Sequence, residues 1–149
     1  MQESGYVSQL EKLGIPAQYA EMFGPNLLGE LIPKLGIRFE ELSPALTIAT
    51  MPVKGNTQAA GLLHGGASAA LVETVGSLAA YVAAPEGYVP VGIDLNITHL
   101  SSATEGEVKA TCTAEKLGRT LCVHRVEVRQ GERLISTGRI SNMLIPQRK

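Results

Sequence analysis

The sequence lacks most of the features that announce a function outright. Only two of its 149 residues are cysteine, too few for a disulfide framework. It has no CxxC pair and no HExxH run, so the common zinc spacings are absent and no metal is expected. The net charge is −1, which offers no general electrostatic hold on nucleic acid or on an anionic membrane. The opening stretch MQESGYVSQLEKLG has no basic region followed by an apolar run, so no secretory signal is read and the cytoplasm is the expected compartment. What remains is ordinary globular material. The chain is 44% apolar and 18% charged, which excludes wholesale disorder, and its length suits a single domain.

The near-neutral total conceals an asymmetry. Residues 1–99 carry 4 basic and 9 acidic side chains, and residues 100–149 carry 9 basic and 5 acidic. The C-terminal third can therefore present a local basic patch to a small anion, or simply a set of solvated strand faces. Residues 1–35 read as a broken helical arm, with helices over Tyr6–Leu13, Ala17–Phe23 and Asn26–Leu35, each stopped by glycine, the first two with a nearby proline. Residues 36–51 read as a hairpin turning at Glu41-Leu42-Ser43-Pro44, and 52–57 as a loop.

The segment from Leu62 to Ala84 is the most unusual. Its 23 residues hold one charge, Glu73, and twelve of them are Gly, Ala or Ser. A membrane span is set aside because a central carboxylate costs about 2.5–3.5 kcal/mol even on a lenient insertion scale. The segment reads instead as a long helix buried on nearly all sides, with small side chains that let other backbones come close. After Pro85-Glu86-Gly87, four strands follow: Tyr88–Leu100, Glu107–Lys116, Leu121–Arg129 and Leu134–Ile145, with a tight turn at Gln130-Gly131. One helix buried by one curved antiparallel sheet is an α+β architecture. A single sheet cannot cover so apolar a helix alone, so a homodimer or homotetramer is expected. Cys112 and Cys122 flank the Leu117-Gly118 turn about equally and could face each other across it; the plainer reading is two small core residues.

Three places could carry chemistry. Glu73 is a lone carboxylate on an uncharged helix, with Ser77 one turn on and Tyr81 a turn beyond. Taken alone it fits a partnered buried acid and a solvated one equally well. His64-Gly65-Gly66 stands where helix N–H groups are unsatisfied, a suitable carbonyl polariser or an ordinary capping loop. Gln58, in the preceding loop, carries an amide that can orient water or a carboxylate.

Together these residues resemble a known family. GLLHGGASAALVE (residues 61–73), VGIDLNITHL (91–100) and LGR (117–119) are similar to blocks of the hotdog-fold acyl-CoA thioesterases, in the subgroup of phenylacetate-pathway, 4-hydroxybenzoyl-CoA and 1,4-dihydroxy-2-naphthoyl-CoA thioesterases. The resemblance implies a helical arm (1–35) and a hotdog domain (36–149), hydrolysis of an acyl-CoA, and no cofactor beyond the CoA of the substrate. It implies Glu73 as nucleophile or general base, the Gly65 N–H as carbonyl polariser, Gln58 and Ser77 as positioning groups, and His64 as a lining residue. Gly92 and His99 would lie along the acyl and pantetheine channel, Arg119 would meet CoA phosphates, and Gly66 and Tyr81 would border the substrate. The pair Gln58 and Glu73, where many relatives have Asn and Asp, favours an aromatic acyl group. Ser101-Ser102 stand where many relatives have Arg-Pro, and His124 takes the place of an aromatic on a later strand. A non-catalytic acyl-CoA-binding domain and a hotdog hydratase or dehydratase are the alternatives.

Overall fold

The computed structural model describes residues 2–24 and 28–148, with side chains from residue 7 onward. Helix α1 (Gln2–Lys12) and a 3-10 turn (Ala17–Tyr19) open the chain, and α2 (Leu31–Leu35) follows. The arm is thus less helical than its sequence predicts. Only a single turn forms within 17–23, and the third expected helix is reduced to five residues, with Asn26 and Leu27 outside the described residues. Packing explains the loss of regularity. Leu10, Ile15, Phe23 and Ile32 all turn inward and join the same core as the rest of the chain, and so short a segment meets that demand with turns.

Strands β1 (Arg38–Leu42) and β2 (Leu46–Pro52) form the expected hairpin. Helix α3 (Gly65–Ala83) follows, then β3 (Tyr88–His99), β4 (Glu107–Leu117), β5 (Leu121–Gln130) and β6 (Arg133–Pro146). The six strands make one antiparallel sheet in the order β1-β2-β4-β5-β6-β3. The sequence suggests four consecutive strands after the helix, but β3 does not pair with β4. It lies at the far edge beside β6, and residues 100–106 carry the chain back to β4 beside β2. That return is held by backbone bonds from Leu100 and Ser101 to Ile135 O, and from Leu63 to Ala103 O.

Helix α3 lies on one face of the sheet, and Leu71, Val72, Val75 and Ala79 are fully buried there. The approach is close because Gly76 has no side chain: a Cβ there would sit 2.0 Å from Ile140 Cγ2 on β6. By length and composition α3 alone among the described helices is apolar enough to cross a membrane, yet here it is the core helix wrapped by the sheet. The helix starts three residues later than its composition suggests, because Leu62 and Leu63 are held in an extended loop by Gln58 N–H and Ala103 O. Cys112 lies opposite Val126, and Cys122 opposite Leu117, so the two thiols do not face each other; both are free and buried. Burial pushes the Cys112 thiol up to about 12, which leaves it a protonated core side chain.

Candidate active site

Helix α3 carries two separate polar groups, one at its start and one at its middle. The start is built by the loop before it. Asn56, buried, donates to Leu35 O and Pro52 O, and its own carbonyl accepts from His64 N–H. This fixes where the helix begins. His64 then caps it: Nδ1 accepts from Gly66 N–H at 2.7 Å. Resemblance puts His64 in the lining of the thioester site, but the structure places its ring outside the cavity as an exposed cap. The same bond uses up the Gly66 amide, so of the glycine pair only Gly65 has an N–H without an acceptor among the described residues.

Gly65 lies at a cavity of about 240 Å³ whose walls also include Gln58, Ser68, His99, Ser102 and Ile135. His99 packs so tightly that a Cβ on residue 65 would lie 2.7 Å from its Nε2. That contact explains why the position is glycine. The other ring nitrogen of His99 shares a hydrogen bond of 3.0 Å with Ser136 Oγ, which is fully buried. Gln58 bends its amide oxygen back to Ala60 N–H, leaving the NH2 end without an acceptor among the described residues. The structure therefore gathers Gln58, Gly65 and His99 at one place. Ser68 and Ser136 are members that the sequence reading did not single out. Ser68 falls within the small-residue run, and nothing in its spacing marks it.

Two turns along, Glu73 is half-buried and has no ion-pair partner among the described residues. Its Oε1 is 3.5 Å from Ser77 Oγ, and Ser77 Oγ is 3.4 Å from Asn142 Oδ1 on β6. Gly92 lies against the same carboxylate: a Cβ there would be 2.9 Å from Glu73 Oε1. Gly92 thus makes room for the acid, and a β-bulge follows directly between Gly92 and Asp94. Asn142 is the group the sequence reading missed. Its signal is a polar residue in an otherwise core-facing alternation, Gly138, Ile140, Asn142, Leu144.

One further expectation is corrected, and two other residues singled out in the sequence are placed. Tyr81 does not border the Glu73 site; its hydroxyl donates to Met22 O at 3.0 Å and its ring stacks on Phe23, so it ties the arm to α3. His124, where relatives carry an aromatic, is fully buried and bonded through Nε2 to Pro44 O at 2.9 Å. Burial pushes its imidazole below the usual histidine value, with the Pro44 carbonyl pulling the other way. Arg119 lies exposed in the β4–β5 turn, outside the lining of the Gly65 cavity. The basic patch foreseen for the C-terminal third takes another form: Arg125 and Arg139 sit opposite each other on β5 and β6, in an open groove of about 380 Å³ that also includes Glu115.

Gly65 and Glu73 are eight residues apart on one helix, roughly 12 Å along its axis at 1.5 Å per residue. A carbonyl polarised by one is out of reach of the other within a single chain.

Comparison with known proteins bears on this geometry. Residues 60–136 match the model of the thioesterase superfamily. The chain is 38% identical to the proofreading thioesterase EntH of Cronobacter turicensis over 127 residues, 84% of this chain and 93% of that protein. It is 41% identical to the 1,4-dihydroxy-2-naphthoyl-CoA hydrolase of Escherichia coli over 106 residues, 69% of this chain and 78% of the relative. The crystal structure of a thioesterase from Haemophilus influenzae superposes with a TM-score of 0.75 at 36% identity, covering 79% of this chain and 84% of that one.

Proposed function

This chain belongs to the thioesterase superfamily and is a thioester hydrolase with the hotdog fold; from that premise we propose that it hydrolyses an aromatic acyl-CoA to the free acid and CoA, at a site completed by a second copy of itself. The observation that carries the proposal is the separation of a free backbone amide from a half-buried carboxylate on one helix. Each is half of a hydrolytic site, and two copies supply both halves.

The edge of β3 supports the pairing. Among the described residues β3 has a sheet neighbour on one side only, and it exposes Val91, Ile93 and Leu95, an apolar edge that invites another strand. Two such edges joined about a two-fold axis would set the Glu73 of one copy toward the Gly65 of the other. The pair is the minimal unit, and a tetramer would be two such pairs.

In this reading the substrate carbonyl accepts from Gly65 N–H, where the positive end of the α3 dipole favours developing negative charge. Glu73 supplies the attack, either by adding to the carbonyl carbon itself or by taking a proton from a water that adds. The tetrahedral species collapses with loss of the CoA thiolate, a good leaving group that needs little protonation. Gln58 orients the water, Ser77 holds Glu73, and His99 shapes the floor beneath Gly65. Arg119 remains a proposed contact for CoA phosphates. The reaction needs no metal or bound cofactor. The names of the relatives favour hydrolysis over dehydration or simple binding, and the naphthoyl-CoA relative supports an aromatic acyl group. Two free cysteines accord with a reducing, cytoplasmic setting.

The test is turnover of benzoyl-CoA, acetyl-CoA and palmitoyl-CoA, followed by thiol release. Benzoyl-CoA should be the best of the three. Glu73→Gln should lower kcat by about 100–10,000-fold, the range for removing a positioned base. A Glu73→Gln enzyme that turns over at the wild-type rate would remove Glu73 from the mechanism. A single turnover in ¹⁸O-water tests for direct attack: label in the Glu73 carboxyl requires a Glu73–acyl anhydride that water opens at the Glu73 carbon, and general-base catalysis puts label only in the product acid.

A further inference from the structure

We infer that Asn142 is a positioning residue for Glu73, acting through Ser77; the inference rests on the reading of Glu73 as the attacking group. Asn142 is fully buried on a strand face whose neighbours are Ile140 and Leu144. An amide in such a place is costly unless its hydrogen-bonding capacity is used. One end of it is used: Oδ1 is 3.4 Å from Ser77 Oγ. The other end is not, since Nδ2 has no partner among the described residues.

Ser77 has one hydroxyl proton but faces two acceptors, Asn142 Oδ1 and Glu73 Oε1. It cannot donate to both. The oxygen and nitrogen of a side-chain amide are told apart by their partners, and here the partners call for the reverse order. With the amide turned over, Asn142 Nδ2–H donates to Ser77 Oγ, and Ser77 Oγ–H donates to Glu73 Oε1. Every contact in the chain then joins a donor to an acceptor. The amide carbonyl takes the dry side, where an unpaired acceptor is better tolerated than an unpaired N–H.

Gly92 shows that the three groups share one pocket. A Cβ built on Gly92 would meet Glu73 Oε1 at 2.9 Å and Asn142 Oδ1 at 3.7 Å. The carboxylate is thus confined by β3 on one side and tethered by Ser77 and Asn142 on the other. One oxygen is held, and the other is left for water or the acyl carbon. Both links in the chain are long, as catalytic hydrogen bonds often are before substrate binds. Because the tether is rooted in β6, the attacking group is aimed by the sheet rather than by the helix that carries it.

The experiment compares Asn142→Leu, Asn142→Asp, Ser77→Ala and the double variant Ser77→Ala/Asn142→Leu, with Glu73→Gln as reference and benzoyl-CoA as probe. Asn142→Leu should lower kcat about tenfold and leave KM within about twofold, since misaiming a reacting group costs rate rather than binding. The double variant should be no slower than Ser77→Ala alone, because both lesions cut one chain. Asn142→Asp should move the acid limb of the kcat–pH profile upward, a second carboxylate opposing ionisation of the first. If Asn142→Leu does not fold, the equal-sized Asn142→Asp carries the test by its pH profile. Wild-type kcat and pH profile in folded Asn142 variants, with only a lowered melting temperature, would overturn the inference while leaving Glu73 in place. A wild-type rate for Glu73→Gln would overturn both.

Discussion

The two ends of the proposed site are built in different ways. At the start of α3 the proposed working group is a backbone amide, left without an acceptor among the described residues because a helix start leaves N–H groups unpaired and the His64 cap takes the next one, on Gly66. At the middle of α3 the working group is a side chain, held by residues from two other elements, Gly92 on β3 and Asn142 on β6. The first depends on local chain geometry, and the second on how strands far apart in sequence meet the helix. Damage to the first should therefore act through the backbone, and damage to the second through packing.

The largest contrast is expected from Gly65. Proline is tolerated at a first helical position, and His64 already has the extended backbone, φ −67° and ψ 130°, that precedes proline comfortably. Gly65→Pro should fold but lose the amide, lowering kcat by about 100–1000-fold, as for loss of an oxyanion donor. Gly65→Ala introduces the same Cβ against His99 while retaining the N–H, so the ratio between the two variants removes the Cβ contribution and reads the replacement of the N–H by the proline ring. Equal rates for the two would break the distinction between a backbone end and a side-chain end.

A smaller effect should separate the site from the scaffold beneath it. His124 is neutral and buried, with its folded value below the ordinary 6.5. The unfolded chain then binds the proton more readily. Its contribution to stability is complete above pH 6.5 and is lost as pH falls from there toward the lowered folded value. Thermal melting between pH 8 and pH 5 should show this slope, and His124→Gln, which retains a donor for Pro44 O, should flatten it. An unchanged slope would contradict the assignment. The smallest effect is expected from Tyr81→Phe, which removes the bond to Met22 O and should cost about 1 kcal/mol or less in stability, measured by urea unfolding.

The same contrast explains what could be read from the sequence. The helix start was legible because its parts lie close in sequence: Gly65 directly follows the capping His64, and Gln58 is only seven residues away, whereas the His99 contact that disfavours a side chain at position 65 comes from β3 and was not. The pairing of Glu73 with Ser77 was legible from helical spacing. Asn142 was not, because it reaches Ser77 across 65 residues, and only the placement of β6 under α3 brings them together. Position β3 failed for a similar reason. Alternation identifies a strand but not its neighbour, and the turn chemistry that pairs β4 with β5 and β5 with β6 has no counterpart between β3 and β6. Tyr81 shares the helical spacing of Glu73 and Ser77, yet the arm claims it, and residues 1–35 gave no sign of where they would dock.

In the proposed mechanism one amide and one carboxylate, from two copies of the chain, act on a single thioester. Mixing decides it. Glu73→Gln protein keeps an intact helix start, and Gly65→Pro protein keeps an intact carboxylate. Unfolded together in equal amounts and refolded, they should form mixed pairs with one repaired site, recovering about a quarter of wild-type benzoyl-CoA turnover if the two chains pair at random. Activity no higher than the sum of the two separate variants would show that each site is contained within one chain and that no site is shared between copies.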